Sequence, residues 1–134
     1  MWSKLCLLVL GGGLGTVCRF FMAQWVQERL GAHFPYGTLL VNMLGCGLIG
    51  LLFALLENKF GSLSGSPYAL RVLLISGLLG GFTTFSSYEM ESFILLRQGA
   101  WERALLYILG SAVLGLLMVA GAFVTTRFCL SGRV

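Results

Sequence analysis

Four stretches of this chain are each long and apolar enough to cross the hydrocarbon core of a membrane, a crossing that takes roughly 20 residues of helix. The first, residues 5–26, holds a single charge, Arg19. The second and fourth, residues 36–56 and 104–126, hold none. The third, residues 70–96, begins at Arg71's turn and carries Glu89 and Glu91 in its second half. Only 10% of all residues are charged, where a soluble domain carries about 25%, and the mean hydropathy is +0.91. A surface so poor in charge does not stay dispersed in water, so lipid is the expected solvent. In lipid the protein itself must satisfy every backbone polar group, and without an alternating strand pattern that leaves closed helices. The expectation is one all-α domain over residues 1–134, with four transmembrane helices.

The links, residues 27–35, 57–67 and 97–103, hold the turn and charge signals and leave no room for an extramembrane domain. Four crossings put both termini on one side. That side holds Lys4, Lys59, Arg71, Arg127 and Arg133; the other holds Arg29, Arg97 and Arg103, with Arg19 inside the first helix. The positive-inside bias is therefore weak, which is compatible with insertion in either orientation. The scattered cations form no nucleic-acid patch and read as interfacial anchors contacting lipid headgroups. Lys4 followed by Leu5–Leu10 imitates the start of a signal peptide, but the apolar run continues to Val26, too long for such a segment. It is read as a retained first helix. Cys6, Cys18, Cys46 and Cys129 lack metal or redox spacing and read as small buried hydrophobes. The single histidine, His33, has no partner motif, and no nucleophile–base constellation exists, so an enzyme is not expected.

Glycines crowd the first two segments: Gly11, Gly12, Gly13 and Gly15, then Gly45, Gly47 and Gly50. Small residues let membrane helices approach closely. Residues 45–50 spell GxGxxG, but that fingerprint needs a preceding strand and a helix start. Within an uncharged helix it is a packing face. The third segment is different. Gly80-Gly81 followed by Thr83, Thr84, Ser86 and Ser87 is poor helix material, and a break in mid-membrane is expected there. Non-helical backbone at that depth is tolerated where it is buried in protein or lines a watery path, and broken helices aim free backbone groups at ions. A glycine kink with hydroxyls bonded back to their own helix is the alternative.

Beyond the break, Phe85, Tyr88 and Ser92 share a helix face. Aromatic edges carry partial positive charge, so such rings either pack or receive an anion. Asn42 is a lone amide in an apolar helix, able to bond another helix or to donate two N–H groups. Tyr107 and Ser111 lie four apart on the fourth helix, sharing a face with Gly115. Asn42, Tyr88, Ser86, Ser87, Tyr107 and Ser111 together offer amide and hydroxyl donors without a buried lysine, the chemistry that replaces an anion's hydration shell. Arg19 and Glu91 are charges costly enough in a membrane to suggest function. Glu89 and Glu91 point to different faces and are not an acid–base pair.

The run Gly80-Gly81-Phe82-Thr83-Thr84-Phe85-Ser86-Ser87-Tyr88 resembles the signature of Fluc-type fluoride channels of the CrcB family, usually GG(F/L)TTFSTF. Gly11-Gly12-Gly13 to Arg19 is similar to that family's first helix, Gly37-Thr38-Leu39-Leu40-Val41-Asn42 to its GTL..N motif, and Ser111 with Leu114 and Gly115 to its fourth helix. The resemblance covers nearly the whole chain. It implies an antiparallel, dual-topology homodimer in a bacterial inner membrane, with two fluoride pathways and passive fluoride export. It further implies a structural Na+ held by the backbone carbonyls of Gly80 and Thr83 from both subunits. The family's pore phenylalanines map to Phe85 and Tyr88, its pore asparagine to Asn42, its fourth-helix polar track to Tyr107 and Ser111, and its motif charges to Arg19 and Glu91. Tyr88 stands where phenylalanine is usual, Ser87 where threonine is common, and Glu89 is unusual directly after the aromatic. A dual-topology small multidrug exporter is the alternative, but those proteins depend on a first-helix glutamate where this chain has Arg19. A subunit that only packs against partners is a third class.

Overall fold

The computed structural model describes residues 2–132; Arg133, counted in the charge map above, lies outside them. Four helices are long and apolar enough to span a membrane, over Trp2–Leu30, Tyr36–Phe60, Tyr68–Arg97 and Trp101–Ser131. Each overruns the expected apolar stretch, because interfacial residues at the ends extend the same hydrogen-bond ladder. Helix α1 is Trp2–Leu30, α2 is Tyr36–Phe60 and α6 is Trp101–Ser131. The third span is a composite of α3 (Tyr68–Arg71), a π-helical stretch over Val72–Leu79, the short turn α4 (Gly80–Phe82), and α5 (Phe85–Arg97).

The ends of α1 and α2 are set by glycines in left-handed geometry. Gly31 has φ 88° and its N–H donates to the Gln27 carbonyl at 3.0 Å. Gly61 has φ 77° and donates to Glu57 in the same way. Such a cap satisfies a terminal carbonyl at a φ that costs glycine little. Gln27 then fastens the first connection from its side chain, donating to the carbonyl of Phe34 at 2.9 Å and accepting from Gly37 N–H at 3.2 Å.

Close approach of backbones holds the bundle together. α1 runs parallel to the third span, with Gly11 against Leu73 to Leu78, Gly12 against Gly81, and Gly15 against Leu78 and Phe82. α2 lies along α6, with the buried Gly50 on the Val119 backbone and Gly115 facing Cys46 and Met43. The GxGxxG residues of α2 are thus packing positions: Gly45 faces Thr83, Gly47 faces Met118, and Gly50 faces α6. A small apolar core of Phe34, Leu95, Ala104 and Tyr107 closes the end formed by the first and third connections. The four cysteines are all unpaired, but Cys6, Cys18 and Cys129 are exposed on the apolar surface rather than buried.

Candidate functional site

The third span leaves helical geometry at two residues. Thr83 has φ −86°, ψ 158° and Thr84 has φ −147°, ψ 119°; both are extended. Gly80 and Gly81 themselves remain in a helical turn. Their lack of side chains serves the approach of α1, since a Cβ on Gly81 would stand 3.0 Å from Gly12 Cα and closer still to its carbonyl.

Two extended residues in a helix disturb the hydrogen bonds around them, and side chains from three helices take these up. Asn42 of α2 clasps Thr84 from both sides: its Oδ1 accepts from Thr84 N–H at 2.9 Å and its Nδ2 donates to the Thr84 carbonyl at 3.0 Å. Arg19 of α1 donates from Nε to the Gly81 carbonyl at 3.0 Å, and Thr16 Oγ1 reaches the same oxygen at 3.5 Å. Thr84 caps α5 through its hydroxyl, which accepts from Ser87 N–H at 3.3 Å and donates to Ser87 Oγ at 3.0 Å. Thr83 bonds back, its N–H and its hydroxyl each 2.9 Å from the Leu79 carbonyl. In an unbroken helix the carbonyls of Gly80 and Thr83 would accept from the N–H groups of Thr84 and Ser87. Both of those N–H groups are turned to side chains instead.

Two cavities flank the extended pair. One, of about 480 Å³, opens between α2, the third span and α6 and is lined by Asn42, Gly80, Thr83, Phe85, Tyr88 and Ser111 among others. The other, of about 410 Å³, lies on the α1 side and is lined by Arg19, Thr38, Ser87 and Glu91. Thr84 borders both. The first cavity is mostly apolar, which makes one polar atom conspicuous. Ser111 Oγ is buried and has no hydrogen-bond partner, whereas buried hydroxyls are almost always bonded.

The aromatic residues form a continuous run. Phe85 and Tyr88 have ring centroids 5.7 Å apart, Tyr88 and Tyr107 are 5.2 Å apart, and Tyr107 meets Phe34 edge-on at 5.5 Å. Phe85, at its open end, is 74% exposed. The two tyrosine hydroxyls are already engaged. Tyr88 donates to the Ile108 carbonyl at 3.2 Å. Tyr107, 1% exposed, donates to Glu91 Oε2 at 2.7 Å, while Thr38 donates to the other oxygen of Glu91 at 2.7 Å. Tyr107 lines neither cavity.

The residues singled out in the sequence therefore divide. Asn42, Gly80, Thr83, Phe85, Tyr88 and Ser111 converge on one cavity, while Arg19, Ser87 and Glu91 face the other. Ser86 is exposed, with its hydroxyl 3.5 Å from that of Thr84. Sequence reasoning placed Thr84 in the expected break but gave it no role, although Asn42 holds it and it caps α5, and it gave none to Thr38, which bonds Glu91. The Thr-Thr pair directly before Phe85 carried the signal for the first, since threonine is a preferred N-cap.

Four helices long and apolar enough to span a membrane, the third interrupted beside a cavity, define a multi-pass membrane protein. The comparisons with known proteins narrow the class. The family described as "CrcB-like protein, Camphor Resistance (CrcB)" matches residues 6–123. A protein of Aquifex aeolicus named fluoride-specific ion channel FluC is 50% identical over 109 residues, covering 81% of this chain and 85% of its own. One of the same name from Thermus thermophilus is 51% identical over 116 residues, 87% of each chain. Another from Chloroflexus aurantiacus is 43% identical over 117 residues, 87% of this chain and 90% of its own. This chain belongs to the CrcB-like family, whose named relatives here are ion channels rather than enzymes.

Proposed function

We propose that the chain is the subunit of a fluoride-selective channel that lets fluoride leave the cytoplasm passively. Fluoride enters cells as uncharged HF across lipid, ionises in the less acidic interior and accumulates. A channel returns the anion down its gradient with the help of the negative-inside voltage.

The unpartnered hydroxyl of Ser111 in the Asn42–Phe85 cavity carries this reading. A small anion there gains a donor that otherwise stands unsatisfied, and the ring edge of Phe85 adds partial positive charge. Neither is a fixed cation, which suits a path where binding must be strong enough to admit the ion and weak enough to release it. Ser86 and Ser87 offer further hydroxyls beside the break, Tyr107 backs the Tyr88 ring with its own hydroxyl held by Glu91, and Arg19 supports the break from α1. Tyr88 contributes its ring, because its hydroxyl is bonded to α6.

Two features favour a homodimer. Phe85, Ser86, Glu89, Met90 and Phe93 all lie exposed along α5. A carboxylate on such a face is costly against lipid, by about 2.5–3.5 kcal/mol on insertion scales, so a second copy covering this stripe is the economical arrangement. The weak charge asymmetry suits antiparallel insertion, with one fluoride path per subunit. The carbonyls of Gly80 and Thr83, whose helical donors are turned to side chains, fit a hard cation such as Na+, for which unwound membrane helices supply backbone oxygens. Bound there, Na+ would neutralise the dipoles of those carbonyls and stiffen the break.

The test is fluoride-electrode efflux from proteoliposomes containing the purified protein, with chloride as control and external sodium varied. Fluoride-selective efflux is expected, lost in Phe85→Ile and in Asn42→Asp. Undiminished efflux in both variants would remove these residues from the path. Proton-coupled uptake of organic cations without fluoride flux would transfer the protein to the multidrug-exporter class.

A further inference from the structure

Three side chains at the opposite end from the tyrosine core are left over by the proposed channel. Lys4, near the start of α1, places its Nζ 4.4 Å from the centroid of the Tyr68 ring. Arg71, at the start of the third span, holds its guanidinium carbon 5.6 Å from the same centroid. Tyr68 is 55% exposed, and Trp2 stands exposed two residues before Lys4. α1 and the third span run parallel, so both helices begin here and add their partial positive N-terminal ends to the two cations.

Among the described residues no carboxylate balances this concentration of charge. The chain has five acidic residues: Glu28 and Glu102 are at the far ends of their helices, Glu89 and Glu91 are within α5, and Glu57 is spent on Arg127 at 3.2 Å. An aromatic ring draws each cation by only a modest amount at an exposed position, and two cations sharing one ring also repel each other. Arg71 Nε is enclosed in the protein with no hydrogen-bond partner, so the guanidinium is not fixed through it, and the outer nitrogens of its planar fork match phosphate oxygens.

We infer that Lys4, Tyr68 and Arg71 form a binding site for the phosphate headgroup of an anionic membrane phospholipid. The phosphodiester would bridge the two cations and accept from Arg71, Tyr68 would pack its ring along the glycerol region, and Trp2 would anchor at the same depth. Basic pockets between transmembrane helices hold anionic headgroups in this way. The site joins α1 to the third span, so a bound lipid would also brace the helix that contains the extended threonines.

The experiment uses the full chain purified in neutral detergent, titrated with short-chain phosphatidylglycerol or phosphatidylcholine and followed by native mass spectrometry and by melting temperature. Phosphatidylglycerol is expected to bind in preference and raise the melting temperature. At about fivefold per basic residue near a headgroup, the Lys4→Gln/Arg71→Gln double variant should bind it about thirtyfold more weakly. Lys59→Gln, which removes a cation from the same membrane face outside the cluster, should keep wild-type affinity. Equal affinity in the double variant and the wild type would overturn the site, as would an equal loss in Lys59→Gln, which would mean diffuse surface charge. Inorganic phosphate stabilising the protein as well as the lipid does would overturn the assignment to a lipid. The readout is independent of fluoride flux, so its failure leaves the channel proposal standing.

Discussion

Replacing Asn42 with alanine should unfasten the third span, and the expected size of the effect follows from the bonds it makes. The side chain supplies an acceptor for Thr84 N–H at 2.9 Å and a donor for the Thr84 carbonyl at 3.0 Å. These two losses are unequal. Thr84 is the N-cap of α5, and an N-cap carbonyl also accepts the first bond of its helix. Losing Nδ2 therefore forfeits one ordinary bond, about 0.5–1.5 kcal/mol. The N–H has no helical acceptor while Thr84 stays extended, so losing Oδ1 orphans it at about 1–3 kcal/mol. Together these predict a destabilisation of about 1.5–4.5 kcal/mol for Asn42→Ala. That exceeds the average of about 0.6 kcal/mol for interhelical bonds in membranes, where a displaced group commonly finds another partner. Reversible unfolding in mixed micelles, followed by tryptophan fluorescence, measures it. Leu40→Ala, at an exposed position on the same helix, serves as the control and should shift stability by no more than about 0.5 kcal/mol. A loss for Asn42→Ala below about 0.6 kcal/mol would mean that Thr84 finds another acceptor, and the clasp would not be what holds the extended pair.

Gly81→Ala forces a Cβ onto the Gly12 backbone and should cost about 1–3 kcal/mol or more by overpacking. Gly13→Ala meets nothing within 4 Å and should be neutral or slightly stabilising, with the fraction surviving a heat step in detergent as the readout. Ser111→Ala should reduce fluoride efflux without lowering the melting temperature, since it removes a hydroxyl with no protein partner; lower stability with intact efflux would show that the hydroxyl has a structural role. Tyr88→Phe should cost about 0.5–1.5 kcal/mol through the lost bond to Ile108 yet retain fluoride efflux. Abolished efflux would mean that the hydroxyl, and not the ring, meets the anion.

Much of the protein was legible before any coordinates. The number of spanning helices followed from hydropathy and length, because lipid admits few ways to satisfy a backbone. The GxGxxG run could be set aside as packing for the same reason, since no strand preceded it. Gly80 to Tyr88 stood out because hydroxyls and glycines are conspicuous against leucine. Other features required tertiary structure. The expected break ran from Gly80 to Phe85, yet Gly80, Gly81 and Phe82 stay helical and the backbone departs only at Thr83 and Thr84. The reason lies on other helices: Asn42, 42 positions away, supplies the bonds that make extended backbone affordable there, and Arg19 takes the Gly81 carbonyl. The tyrosines make the same point. As residue types, Tyr88 and Tyr107 are donors available to an anion, but only their neighbours in space reveal that Ile108 and Glu91 already occupy them. Composition alone determined the solvent, the helices and the short list of polar residues, because these depend on each residue's own chemistry. The fold decided which of those donors remain free, because a hydrogen bond depends on the partner that packing brings within reach.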